Sequence, residues 1–189
     1  MEPVDLAIEA IDAANRDDPH VFEEEPLALV EGRLAYGWIE RLSDEPADAL
    51  LLAARAHHLR RWVIPRTDYP DGRSGYLRWR RHQKVRHAEE LRAILVAAGV
   101  EPATVDRACV IVSKIGLGSD PEVQLFEDAV CLTFLHTQLA PTAERLGDER
   151  AVPVIAKTLA KMSERGRQTA LTLDFDDHTA ALIARSLAP

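Results

Sequence analysis

Apolar residues recur every three to four positions in segments that tend to open on a proline or an acidic cap and close on a glycine or a proline. No segment alternates apolar with polar residues. A period near 3.6 gathers such residues on one helix face, whereas a half-buried strand needs a period of two. The pattern therefore predicts an all-α chain, a single-domain helical bundle of about eight or nine helices over residues 1–189. Few aromatics (5%) among 47% hydrophobic residues, with Ala and Leu abundant, fit that class. A chain of this length buries roughly 70% of its unfolded surface and needs no second domain.

Punctuation places the helices. The first runs from Pro3 to Asn15 and ends at Asp17-Asp18-Pro19, because the residue before proline avoids the α region. Glu23-Glu24-Glu25 leads into Pro26, which is expected to open a second helix reaching about Leu42, the acids complementing its dipole. Ser43 to Pro46 is a start signal for a third, from Pro46 to about Trp62. Val63 to Gly75 reads as a structured loop, and Tyr76 to Ala98 as a long fourth helix closed by Gly99. Pro102 to Lys114 makes a fifth, and Asp120-Pro121-Glu122 starts a sixth. Three more follow Pro141: about Asp148 to Met162, Ser163 to Leu173 and Asp176 to Leu187.

Charge is unevenly spread. Residues 55–92 hold eleven Lys or Arg against four Asp or Glu, a net of +7, which leaves −15 for the rest of a chain of net −8. Either this is a solvated basic surface that pairs with acidic neighbours, or it is a local field for an anion. The overall negative charge argues against duplex nucleic acid as a partner, while the local basic stretch leaves a small anionic or phosphorylated ligand as the expected one. No apolar run reaches the roughly 18 residues of a membrane span, and no leader-like start is present, so a cytoplasmic location is expected. Cys109 and Cys131 lie 22 positions apart with no CxxC pair, in apolar surroundings, and read as reduced core residues.

Three clusters carry chemistry. His57 and His58 are adjacent on the third predicted helix, so their side chains diverge by about 100° and both face inward only toward a broad core. His87 shares a face with Leu91 and Ile94, behind Arg80, Gln83 and Lys84. In LFEDAVCLTFL, Glu127 and Asp128 interrupt the most apolar helix, and at least one is expected inside, where an unpaired carboxylate costs about 3 to 5 kcal/mol. Each has a plain structural reading, as a hydrogen-bonded core histidine or an Arg–carboxylate pair. Together they are what helices need to converge a divalent metal site, for Mn, Fe, Zn or Mg. Around them Arg61, Arg66, Tyr69, Arg73, Tyr76, Arg80 and Lys114 form a candidate anion pocket.

The order of these residues resembles the HD superfamily of metal-dependent phosphohydrolases. On that resemblance His57-His58 stands for the His-Asp pair, His87 for a following histidine and Asp128 for the late aspartate. Glu31 stands where an earlier histidine is expected. The chain departs from the pattern in having His-His and no earlier histidine. The stretches DAANRDDP, LLAARAHHLRRWVIPRTDYPDGRSGYLRWR, HAEEL, SDPEVQLFEDAVCLTFL and KTLAKMSERG resemble the helical family known as domain of unknown function 4202. That resemblance covers nearly the whole chain, implies no reaction, and places more weight on His58 than on His57. The expected function is a metal-dependent hydrolase of a small phosphorylated or nucleotide-like substrate. His57, His58, His87, Asp128 and Glu31 would be its metal ligands, with Glu127 and Lys84 catalytic. An HD-like di-iron oxygenase and a non-catalytic anion-binding or protein-interaction module are the alternatives.

Overall fold

A computed structural model describes residues 1–187; the last two positions of the expected 1–189 domain lie outside them. The described residues form ten α-helices, two 3-10 turns and one two-stranded ribbon, so the all-α expectation holds. Helix α1 (Pro3–Asn15) has the predicted bounds. The ribbon β1 (Val21–Phe22) and β2 (Glu25–Pro26) precedes α2 (Leu27–Leu42). Here the structure corrects the expectation that Pro26 is the first residue of the second helix, with the acidic triplet beside its dipole. Glu23 and Glu24 turn the hairpin with positive φ, and Pro26 is the residue before α2.

Helix α3 (Asp48–Arg55) is hydrophobic all round, and every residue from Ala49 to Ala54 is buried, as a helix enclosed by neighbours must be. It packs on α1, α2, α5 (Pro102–Val112) and α6 (Pro121–Thr137). The third helix does not continue to Trp62 as predicted. Arg55 is clamped by Asp12 through two bonds of 2.7 and 2.6 Å, and Arg60 adopts a left-handed φ of 47° while its N–H donates to Asn15. Tertiary bonds thus override the local helix propensity of Ala-Arg-Leu. Residues 56–60 form turns, and 3-10 turns follow at Arg61–Val63 and Arg66–Asp68.

Helix α4 spans Gly72–Ala97, starting a turn earlier than Tyr76. Along it only Gly75, Trp79, Gln83, His87, Leu91 and Leu95, every fourth residue, are buried. That stripe holds the loop after α3: Trp79 Nε1 donates to Ile64 O at 2.9 Å, and Gln83 Nε2 to Arg61 O and Ile64 O at 2.8 and 2.9 Å. Arg86 reaches Arg60 O at 2.5 Å. The fifth helix stops at Val112, two residues short of the predicted Lys114, which takes a left-handed φ of 53°.

Beyond α6 the chain forms α7 (Leu139–Leu146), α8 (Asp148–Leu159), α9 (Glu164–Ala170) and α10 (Asp177–Leu187). Helix α7 has no counterpart among the predicted helices; Pro141 sits in its first turn, where a missing N–H costs nothing. Both cysteines are free and buried. Among the described residues no helix is long and apolar enough to cross a membrane.

Candidate metal and anion site

The turn that replaces the end of the third helix carries the imidazoles. His57 Nδ1 faces Ala54 O at 3.1 Å, and since a carbonyl only accepts, Nδ1 holds the proton and Nε2 keeps its lone pair. The His57 and His58 rings stack with centroids 4.2 Å apart and planes 30° apart. His58 Nδ1 contacts Oε2 of Glu31, which rises from α2. Oε1 of Glu31 accepts from Thr137 on α6 at 3.2 Å. Donor atoms of Glu31, His57 and His58 lie within 4.8 Å of one another, which makes the three a group able to hold a metal ion.

Two polar side chains from the first motif set this geometry. Asn15, buried, donates to Ala28 O at 3.3 Å and accepts from the Arg60 N–H at 3.0 Å, tying the start of α2 to the turn. Asp18 accepts from the Ala28 N–H at 2.9 Å. The sequence reading missed both residues. The available signal was that Asn15 falls four positions after Ile11, on the apolar face of α1. Gly32, beside Glu31, lets α2 pass against α3: a Cβ there would stand 2.5 Å from Arg55 O.

A cavity of about 60 Å³ opens on the imidazoles, walled by His57, His58, His87 and the cations Arg61, Arg80, Lys84 and Lys114. His87 is buried, and its Nε2 has no hydrogen-bond partner. Burial is the main reason that His57, His58 and His87 are held well below the ordinary histidine value. His58 adds to the effect at His57 and His87, and Arg61 at His58 and His87. All three are therefore neutral near pH 7 and present lone pairs. Burial raises Glu31 against the opposing pull of His57 and Arg61. Lys84 is lowered by burial first, then by Lys114 and Arg80.

Not every expected residue arrives. Asp128 is buried but points away from the histidines. It accepts from Ser163 N at 2.8 Å, Ser163 Oγ at 2.5 Å and Gln124 Nε2 at 3.1 Å, and so anchors the start of α9. Gly166 is pressed against it, since a Cβ there would lie 2.6 Å from the Asp128 carboxyl carbon. Its expected place as a metal ligand is thus corrected: a carboxylate that accepts three protein hydrogen bonds is already satisfied. Glu127 pairs with Lys114, with Lys161 Nζ 3.8 Å away, and does not line the cavity. It holds Lys114 rather than meeting a ligand.

Of the expected anion pocket, Arg61, Arg80 and Lys114 line the small cavity, and Arg66 lines a neighbouring cleft. Tyr69, Arg73 and Tyr76 line neither: the Tyr69 hydroxyl bonds His82, Arg73 is exposed, and Tyr76 is 42% exposed beside the Arg80 guanidinium. The cleft, about 280 Å³, shares His58 and Arg61 with the small cavity, and Glu31 also lines it.

A model of the family described as Domain of unknown function (DUF4202) matches residues 5–183. No curated protein and no solved structure matches the chain.

Proposed function

The chain belongs to the DUF4202 family, and from the geometry of its site we propose that it is a metal-dependent hydrolase of small phosphorylated substrates. The observation that carries this reading is the buried His87 Nε2 without a partner, in a cavity that also holds two neutral imidazoles and four cations. A buried polar nitrogen left unmatched costs about 1 to 3 kcal/mol, a cost that a ligand removes. Three imidazoles and one carboxylate suit Mn, Fe or Zn better than Mg, which prefers oxygen donors. Glu31, His57, His58 and His87 would hold the ion.

A bound divalent ion would act as a Lewis acid and lower the pKa of a coordinated water toward neutrality. Arg61, Arg80 and Lys114 surround the space where phosphoryl oxygens would lie and stabilise the charge that grows on them. Lys84, with its lowered pKa, is suited to pass a proton to the departing oxygen. Glu127 positions Lys114. The carboxylates that a second ion would call on are committed elsewhere, Asp128 to Ser163 and Glu127 to Lys114. That favours a single-metal hydrolase over the di-iron oxygenase.

Metal analysis of untagged protein, followed by phosphate release from a phosphomonoester panel with and without chelator, tests the reading. Stoichiometric Mn, Fe or Zn that is lost in His58→Ala, with chelator-sensitive turnover, is the expected result. Iron with an oxygen-dependent optical change would replace it with the oxygenase. Thermal stabilisation by phosphate that chelator does not alter, without turnover, would replace it with an anion-binding module.

A further inference from the structure

The cleft of about 280 Å³ beside the small cavity has two kinds of wall. Trp62, Ile64, Pro65 and Trp79, from the loop after α3 and from α4, supply apolar lining, as do Leu27 and Ala28 at the start of α2. Trp79 is 8% exposed and fixed by its bond to Ile64 O, with the Arg61 guanidinium 4.6 Å above its ring. The apolar wall is therefore rigid before any ligand arrives. The polar lining of the cleft is Asp18, His20, Glu31, Arg66 and Gln138, beside the shared His58 and Arg61. Apolar walls with a few polar edges accept a flat ring system that carries hydrogen-bonding groups on its rim.

His58 and Arg61 border both spaces, so a ligand with its phosphate among the cations of the small cavity can extend past them into the cleft. The small cavity, about 60 Å³ and closed by Phe126, Val112 and Val130, has little room for a chain of phosphates. We infer that the substrate is a monophosphate ester of an alcohol bearing a flat heteroaromatic ring, of the nucleoside monophosphate class, and that the Trp62–Trp79 cleft sets its specificity. This rests on the hydrolase reading and adds the substrate class to it. In the reaction the water oxygen forms the new P–O bond and the ester P–O bond breaks. The alcohol leaves with one of the water protons, giving free alcohol and inorganic phosphate.

The probes are AMP, ribose 5-phosphate and adenosine. With added Mn, kcat/KM for AMP is expected to exceed that for ribose 5-phosphate at least tenfold. The AMP to ribose 5-phosphate ratio falls at least fivefold in Trp62→Ala, mainly through KM, and recovers in Trp62→Phe, which keeps an aromatic face. Independently of turnover, calorimetry of adenosine with the metal-free protein is expected to show binding that Trp62→Ala weakens at least fivefold. Equal kcat/KM for the two esters, or a ratio unchanged by both variants, overturns the inference and leaves the hydrolase reading intact. Adenosine binding without hydrolysis of any ester removes the hydrolase reading and keeps the cleft as a ring-binding site. Absence of adenosine binding overturns the cleft assignment.

Discussion

Lowering the pH from 7.5 to 5.5 in the presence of chelator is expected to destabilise the fold by up to about 4 kcal/mol, a limit set by the buried His57, His87 and Glu31 and the half-buried His58. His57, His58 and His87 are held well below their ordinary value of 6.5, chiefly by burial. Below pH 6.5 the unfolded chain takes up protons at these positions and the folded chain does not, so stability falls as pH falls. A histidine kept neutral in the folded state costs on the order of 1 kcal/mol for each pH unit below its ordinary value, so the three together set an upper limit of about 4 kcal/mol at pH 5.5. Glu31 acts in the opposite sense. Its raised pKa makes the folded state the better proton binder above the ordinary carboxylate value of 4.5. That offsets part of the loss from the histidines. Urea unfolding at several pH values measures the sum. His87→Leu removes one imidazole and should lower the acid loss by on the order of 1 kcal/mol, while the stability at pH 7.5 holds or rises because the unmatched Nε2 is gone. Stability that is flat within about 0.5 kcal/mol, or that rises on acidification, would refute the argument from buried neutral imidazoles.

Other perturbations probe the scaffold. Gly32→Ala places a Cβ 2.5 Å from Arg55 O, which the Asp12 clamp keeps from retreating, and should cost about 1 to 3 kcal/mol in thermal or urea unfolding. Asp128→Ala removes the acceptor for Ser163 and Gln124 and should destabilise by about 1 to 3 kcal/mol while leaving bound metal unchanged; loss of metal would return Asp128 to the ligand set. Lys114→Met leaves Glu127 buried with only Lys161 at 3.8 Å, and should cost more stability than the double variant Lys114→Met/Glu127→Gln, measured in one unfolding cycle. Asn15→Ala should loosen the turn at Arg60 and weaken Zn or Mn affinity measured by competition with a chelating dye, although Asn15 is not among the candidate ligands.

Helical periodicity and the Pro and Gly boundaries determined most of the helices, because those signals act within one turn of the chain. Helix α1 ran from Pro3 to Asn15 as read, and α6 began at its Asp120 cap as read. The chemistry of the site was legible as residue types. Buried imidazoles and a Glu on α2 were expected to meet, and Glu31, His57 and His58 do. The direction of each side chain was not legible, because it depends on partners distant in sequence. Asn15 and Asp12, more than 40 positions upstream, end the third helix early and turn His57 and His58 into a stacked pair. Ser163, 35 positions downstream, draws Asp128 away from them, while its neighbour Glu127 is drawn to Lys114. Periodicity put both carboxylates inside, but only the packing of α9 and the left-handed turn at Lys114 decided which cation or cap each would meet. A helix face specifies burial, and the partner across the core specifies the chemistry.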